Sequence, residues 1–157
     1  MAQVVFDFSE LITGCLHEEE VNFTNAINQE LDSKKFISEL FRNLQLVCQE
    51  ELSELLERHH FHLVKRTDIK NKIERLVNNP YSNFTKLCQI PLGQEPRLYG
   101  NLQKVKYTTL YLFKALIADP NHLIYEENKF NKLKNLTCLF SKTNCLETKK
   151  MGLKKKR

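Results

Sequence analysis

The stretch SKKFISELFRNLQLVCQEELSELLERHH, residues 33–60, constrains this chain more than any other. Phe36, Ile37, Leu40, Phe41, Leu44, Val47, Cys48, Leu52, Leu55 and Leu56 recur mostly at spacings of three and four, which gathers them on one side of a helix. The spacing predicts an amphipathic helix of about seven turns, with Asp32 or Ser33 as its cap. Such a stripe must be covered, so this helix is the expected spine of the fold.

The same reading extends along the chain. Asp7 followed by Glu10 has the form of a capping arrangement, opening a short helix through Leu11, Ile12 and Leu16. The acids of HEEE, residues 17–20, suit the start of a second helix carrying Val21, Phe23, Ala26 and Ile27. Thr67 and Asp68 open another, with Ile69, Ile73, Leu76 and Val77 on one stripe, and NNP at 78–80 stops it. A helical turn around Phe84, Leu87 and Cys88 leads to a loop containing Pro91, Gly93 and Pro96. From Leu98, helical spacing continues through Leu102, Val105, Thr109, Leu112, Phe113 and Leu116, although YTTLYLF is also rich in strand formers. Asp119 and Pro120 end that helix, and a last one spans about Tyr125 to Phe140. The expectation is therefore all-α: a compact array of about six helices with short connections. Residues 1–143 form its single domain, and 144–157 a flexible basic tail.

A net charge of +5 suggests nucleic acid until its distribution is counted. The last nine residues, KKMGLKKKR, hold six basic side chains, and positions 1–148 hold 18 basic against 19 acidic. Residues 1–58 carry 12 acids and 4 bases, whereas 59–147 carry 7 acids and 14 bases. Complementarity between the two halves accounts for this pattern. The five cysteines are an odd set without a close pair, which fits reduced thiols. No apolar run approaches the length of a membrane span.

Chemistry-bearing motifs are sparse. His59, His60 and His62 are adjacent imidazoles, yet zinc sites draw ligands from spaced pairs, and no CxxC or HExxH is present. Cys88 lies between Leu87 and Ile90 and reads as a buried apolar side chain. Neither GxxxxGK[ST] nor GxGxxG occurs. No cofactor, metal, small-molecule substrate or enzymatic activity is expected. The basic and aromatic stretch NLQKVKYTTLYLFK places its rings on or beside the apolar stripe, flanked by Lys104 and Lys106. The terminal Lys154, Lys155, Lys156 and Arg157 match a short nuclear-import pattern.

DIKNKIERLV, NFTKLCQI and EPRLY, followed by a basic amphipathic segment, resemble in that order the helical region of the protein phosphatase 4 regulatory subunit 2 family. The matching positions are Ile69, Lys70, Ile73, Val77, Phe84, Thr85, Leu87, Cys88, Pro96, Arg97 and Tyr99, over about a third of the chain. This resemblance implies a non-catalytic adaptor that helps a phosphatase catalytic or scaffold subunit reach nuclear substrates. The expected function is a nuclear or cytoplasmic scaffold that binds another protein through the Pro91–Arg97 loop and its basic neighbourhood, with Arg97, Tyr99, Lys104 and Lys106 in contact. The alternative is nucleic-acid binding by the basic second half and tail.

Overall fold

The computed structural model describes residues 2–28, 33–57, 61–78, 84 and 86–140. Its centre is a sheet, which corrects the all-α expectation. Strands β1 (Gln3–Asp7), β5 (His62–Leu63), β6 (Leu87–Pro91), β7 (Arg97–Lys104) and β8 (Leu110–Asp119) lie in the order β1-β8-β7-β6-β5. β1 runs parallel to β8, with Val4 opposite Tyr111, and the other neighbours are antiparallel. Two small ladders flank this sheet. β2 (His17–Glu18) pairs with β3 (Phe23–Thr24), and β4 (Ala26–Asn28) pairs with β9 (Leu136–Cys138).

Helices cover both faces of the sheet. On the first face, α1 (Ser33–Gln49) and α2 (Leu52–Glu57) bury Phe36, Leu40, Leu44, Val47, Leu52 and Leu55 against Cys88, Ile90, Leu98, Leu102 and Phe113. On the second, α3 (Thr67–Val77) buries Ile69, Ile73 and Leu76 against Leu87, Tyr99, Leu116 and Ile117. The long predicted helix is thus present but divided. The Leu52 amide donates to the Ala2 carbonyl beside β1 (3.1 Å), and that tertiary bond marks where α1 gives way to α2. The helix from Thr67 forms as expected, and Asn78 ends it in the left-handed conformation with its N–H on the Glu74 carbonyl.

The helix expected over Leu98–Leu116 is instead the β7–β8 hairpin. A central strand covered on both faces is apolar at nearly every position, so it loses the alternation that identifies a half-buried strand. β8 also carries an irregularity. Tyr99 pairs with Ile117 while Gly100 pairs with Ala115, leaving Leu116 as an extra residue. This bulge turns both Leu116 and Ile117 to the second face, and the Leu116 carbonyl is free to accept from Ile12 (2.9 Å). The result broke the period-two pattern further and imitated helical spacing.

The remaining expected helices are also corrected. Asp7 ends β1, and its carboxylate accepts the Ser9 N–H (2.8 Å) in a local turn. Residues Glu19–Val21 make one 3₁₀ turn between β2 and β3. The turn expected around Leu87 and Cys88 is β6, and the last helix is a 3₁₀ segment, Glu127–Lys132, followed by β9. Cys15 is disulfide-bonded, which corrects the expectation of five reduced thiols. Asp32, His59, His60, Thr85, the tail 144–157 and its motif Lys154–Arg157 lie outside the described residues.

Candidate functional site

The loop between β6 and β7 is where the sequence placed a binding corner, and it forms one wall of a cleft. Pro91 closes β6, Gly93 adopts φ +118, and the Leu92 N–H donates to the Pro96 carbonyl (2.9 Å). Gly93 is required here because that dihedral is open only to a residue without a Cβ. The opposite wall is the N-terminal half of α1. Together Lys35, Phe36, Glu39 and Arg42 of α1 and Leu92–Pro96 of the loop enclose about 500 Å³. That volume is in the range of ordinary ligand clefts.

Arg97 fixes the loop. Its Nη1 lies 2.9 to 3.4 Å from the carbonyl oxygens of Gly93, Gln94, Glu95 and Pro96, so the guanidinium is turned onto its own chain. Backbone carbonyls that converge in a tight loop repel one another, and a cation among them offsets that repulsion. Glu95 is held from the other side by Lys129 (2.7 Å), which also pairs with Glu126, and Glu126 in turn meets His122 (3.3 Å). The Lys129 bond holds the Glu126 carboxyl below its usual range, and partial burial, reinforced by Arg97, lowers the His122 imidazole. Each of these groups is engaged by its neighbour, so the network acts as a brace for the loop.

Beneath this brace lies Asp119, fully buried at the end of β8. Its two carboxylate oxygens accept the N–H groups of Leu123 (2.9 Å) and Ile124 (2.8 Å), shaping the turn after Pro120. Burial pushes its carboxyl up to about 6, although both backbone donors pull the other way. Asp119 is opposite Arg97 in the β7–β8 register, so this turn and the cleft loop share one end of the sheet.

The four residues expected to contact a partner do not come together. Arg97 braces the loop, and Tyr99, two residues on, is buried in the second-face core. Lys104 and Lys106 sit at the opposite end of β7, roughly 23 Å from Arg97 at the usual rise per strand residue. Both lysines are exposed. The α1 wall was not legible as part of a site, because Lys35 and Glu95 are brought together only by the packing of α1 on the sheet. Cys88 is buried, and burial pushes its thiol up to about 12, consistent with a packing role. His62 lies on β5, and among the described residues no group of three or more His, Cys, Asp or Glu could hold a metal ion. No helix among the described residues is long and apolar enough to cross a membrane.

A family model described as "Uncharacterised protein UU032" matches residues 11–151. The chain belongs to this family. No curated protein and no solved structure matches it. The matched segment begins after β1 and contains both walls of the cleft. The segments that resemble the phosphatase regulatory subunit family fall on α3, β6 and β7, so the helical arrangement implied for residues 84–99 is not the one this chain adopts.

Proposed function

We propose that this protein is a non-catalytic binding module that holds a short segment of another protein in the cleft between α1 and the β6–β7 loop. One observation carries the reading: the loop wall is braced by contacts within the chain itself, with Arg97 against four of its carbonyl oxygens and Lys129 on Glu95. A preformed wall loses little entropy on binding. The chemistry of the lining supports the same reading. Phe36, Leu92 and Pro96 supply apolar surface beside a few charged groups, the composition of a binding cleft. Arg42 is paired with Glu39 (3.1 Å) and Glu95 with Lys129. Among the described residues Lys35 is the lining cation with no carboxylate within 4.0 Å. The fitting segment therefore places an apolar side chain in the cleft and an acidic one against Lys35.

Selection of displayed peptides on the full chain tests this directly. Enriched peptides should carry an acid beside an apolar residue, shift the amide resonances of 35–42 and 92–95, and lose affinity in Lys35→Glu. A phosphatase catalytic subunit is the first whole protein to assay, following the sequence resemblance. Peptides that bind elsewhere, or that bind Lys35→Glu unchanged, would refute the assignment.

A further inference from the structure

The opposite end of β7 carries a feature that folding does not explain. Residues 105–108 make a turn in which the Thr108 N–H donates to the Val105 carbonyl (3.3 Å) and the Val105 N–H to the Leu110 carbonyl (3.0 Å). The Thr108 hydroxyl donates to the Val105 carbonyl (3.0 Å) and accepts from the Leu110 N–H (3.1 Å). At the third residue of this turn, Tyr107 adopts φ +61. Turns favour Gly or Asn at such a position, because any other side chain crowds its own backbone. The chain follows that preference elsewhere: among the described residues, Asn22, Asn78 and Asn135 hold three of the five positive-φ positions occupied by a residue other than glycine.

Tyr107 gains nothing from packing in return, since it is fully exposed. Its ring is set on a turn closed by these four hydrogen bonds and flanked by exposed Lys104 and Lys106. Among the described residues neither lysine has a carboxylate within 4.0 Å. Exposed Lys86 precedes β6 across from Leu102, whose N–H donates to the Lys86 carbonyl (2.8 Å), and so adds a third cation near the same end of the sheet. An aromatic face held in solvent between unpaired ammonium groups matches a ligand that alternates flat rings with anions.

We infer that the β7–β8 turn is a binding site for single-stranded nucleic acid, with a base stacked on Tyr107 and neighbouring phosphates on Lys104 and Lys106. The Watson–Crick edges of the base are not read, so the site tolerates any sequence. A duplex fits less well because its bases are already stacked on one another. The site is separate from the cleft and does not depend on it.

The test is fluorescence anisotropy of a labelled, mixed-sequence 12-nucleotide single strand with the full chain. A duplex of the same length and a heparin oligosaccharide serve as competitors, and Tyr107→Asn and the double variant Lys104→Gln/Lys106→Gln are compared with the unaltered protein. Tyr107→Asn should weaken single-strand binding at least about fivefold, the lower end of one lost base stack. It should also leave thermal stability equal or higher, because Asn accepts the left-handed conformation, so unfolding cannot explain the loss. The double lysine variant should flatten the slope of log affinity against log salt by about 1.4, from two lost phosphate contacts at about 0.7 each. Unchanged affinity in Tyr107→Asn would overturn the inference. So would displacement of the strand by heparin or duplex at equal charge concentration, which would indicate a general polyanion or a protein acid surface as the ligand.

Discussion

Replacing Gly100 by Ala tests the packing of the sheet at its tightest point. A Cβ at this position would lie 2.4 Å from the Lys114 carbonyl oxygen and 2.5 and 2.6 Å from Cζ and Cε1 of Phe113. The oxygen belongs to the backbone of the paired strand and cannot rotate away. Nor can the ring yield, because Phe113 is fully buried and sits edge-on between Phe6 (5.5 Å) and Phe61 (5.6 Å). Relief requires β7 and β8 to separate locally. Overpacking of this kind costs about 1 to 3 kcal/mol, and a stretched ladder hydrogen bond adds about 1 kcal/mol. Against this, Ala restricts the unfolded chain and returns about 0.5 to 1 kcal/mol. The net expectation is a loss of about 1 to 3.5 kcal/mol, or a fall in Tm of roughly 2 to 14 °C for a chain of this size. Urea unfolding followed by circular dichroism measures it, with Gly14→Ala as the control. A Cβ at Gly14 meets nothing within 4 Å, so that variant should stay within about 0.5 kcal/mol of the parent. If Gly100→Ala were as stable as Gly14→Ala, the strand register around the bulge would have to be wrong.

Asp119 gives the fold a specific pH response. Its carboxyl is raised to about 6 in the folded protein, so between about pH 4 and 6 the unfolded chain releases this proton while the folded one retains it. The contribution to stability is therefore complete below pH 4 and declines as pH rises through 6, by about 3 kcal/mol for a gap of about two pH units. Subtracting the urea-unfolding profile of Asp119→Asn should isolate that decline, and parallel profiles would contradict it. Tyr99→Phe should be neutral or stabilising by up to about 1 kcal/mol, since the Tyr99 hydroxyl is buried without a hydrogen-bond partner among the described residues and its removal ends a desolvation cost. A loss above about 1 kcal/mol in thermal unfolding would instead point to a hydrogen bond made by that hydroxyl, for example through a buried water.

The resemblance to a phosphatase regulatory subunit and the membership of the UU032 family bear on different things. The first rests on short motifs that overlap α3, β6 and β7 here, and it contributes a partner to assay. The second covers residues 11–151 and places the cleft, the β7–β8 turn and every strand of the central sheet except β1 within the matched segment. The two candidate surfaces stand at opposite ends of β7. A cleft and a protruding turn so placed could engage different ligands at once, and simultaneous titration of a selected peptide and a single strand would read their coupling.

The helices were legible because each presents one apolar face and one wet face, so a spacing of three and four appears in the residues themselves. Phe36, Leu40, Leu44 and Val47 on α1, and Ile69, Ile73 and Leu76 on α3, are buried as that spacing requires. The end of α3 at Asn78 was legible for the same local reason. The strands were not. Between covering helices, LYLFKALIAD has no wet face to reveal a period of two, and the extra residue Leu116 shifts its phase midway. The turn KVKYTT lacks the Gly or Asn that would have announced a hairpin, because Tyr107 occupies the left-handed position.

Sequence alone thus determined where two helices run and much of the set that leaves water, since helical spacing and backbone capping are local properties. Phe41, Cys48 and Leu56, expected on the same stripe, stay exposed because the sheet covers only one side of α1 and α2. Whether Leu98–Leu116 became a helix or a hairpin was decided by the tertiary structure, where both faces of the sheet are covered and each strand's backbone groups find partners on a neighbour. The cleft has the same origin. Lys35 and Glu95 are about sixty residues apart, and only the packing of α1 across β6 and β7 makes them walls of one space.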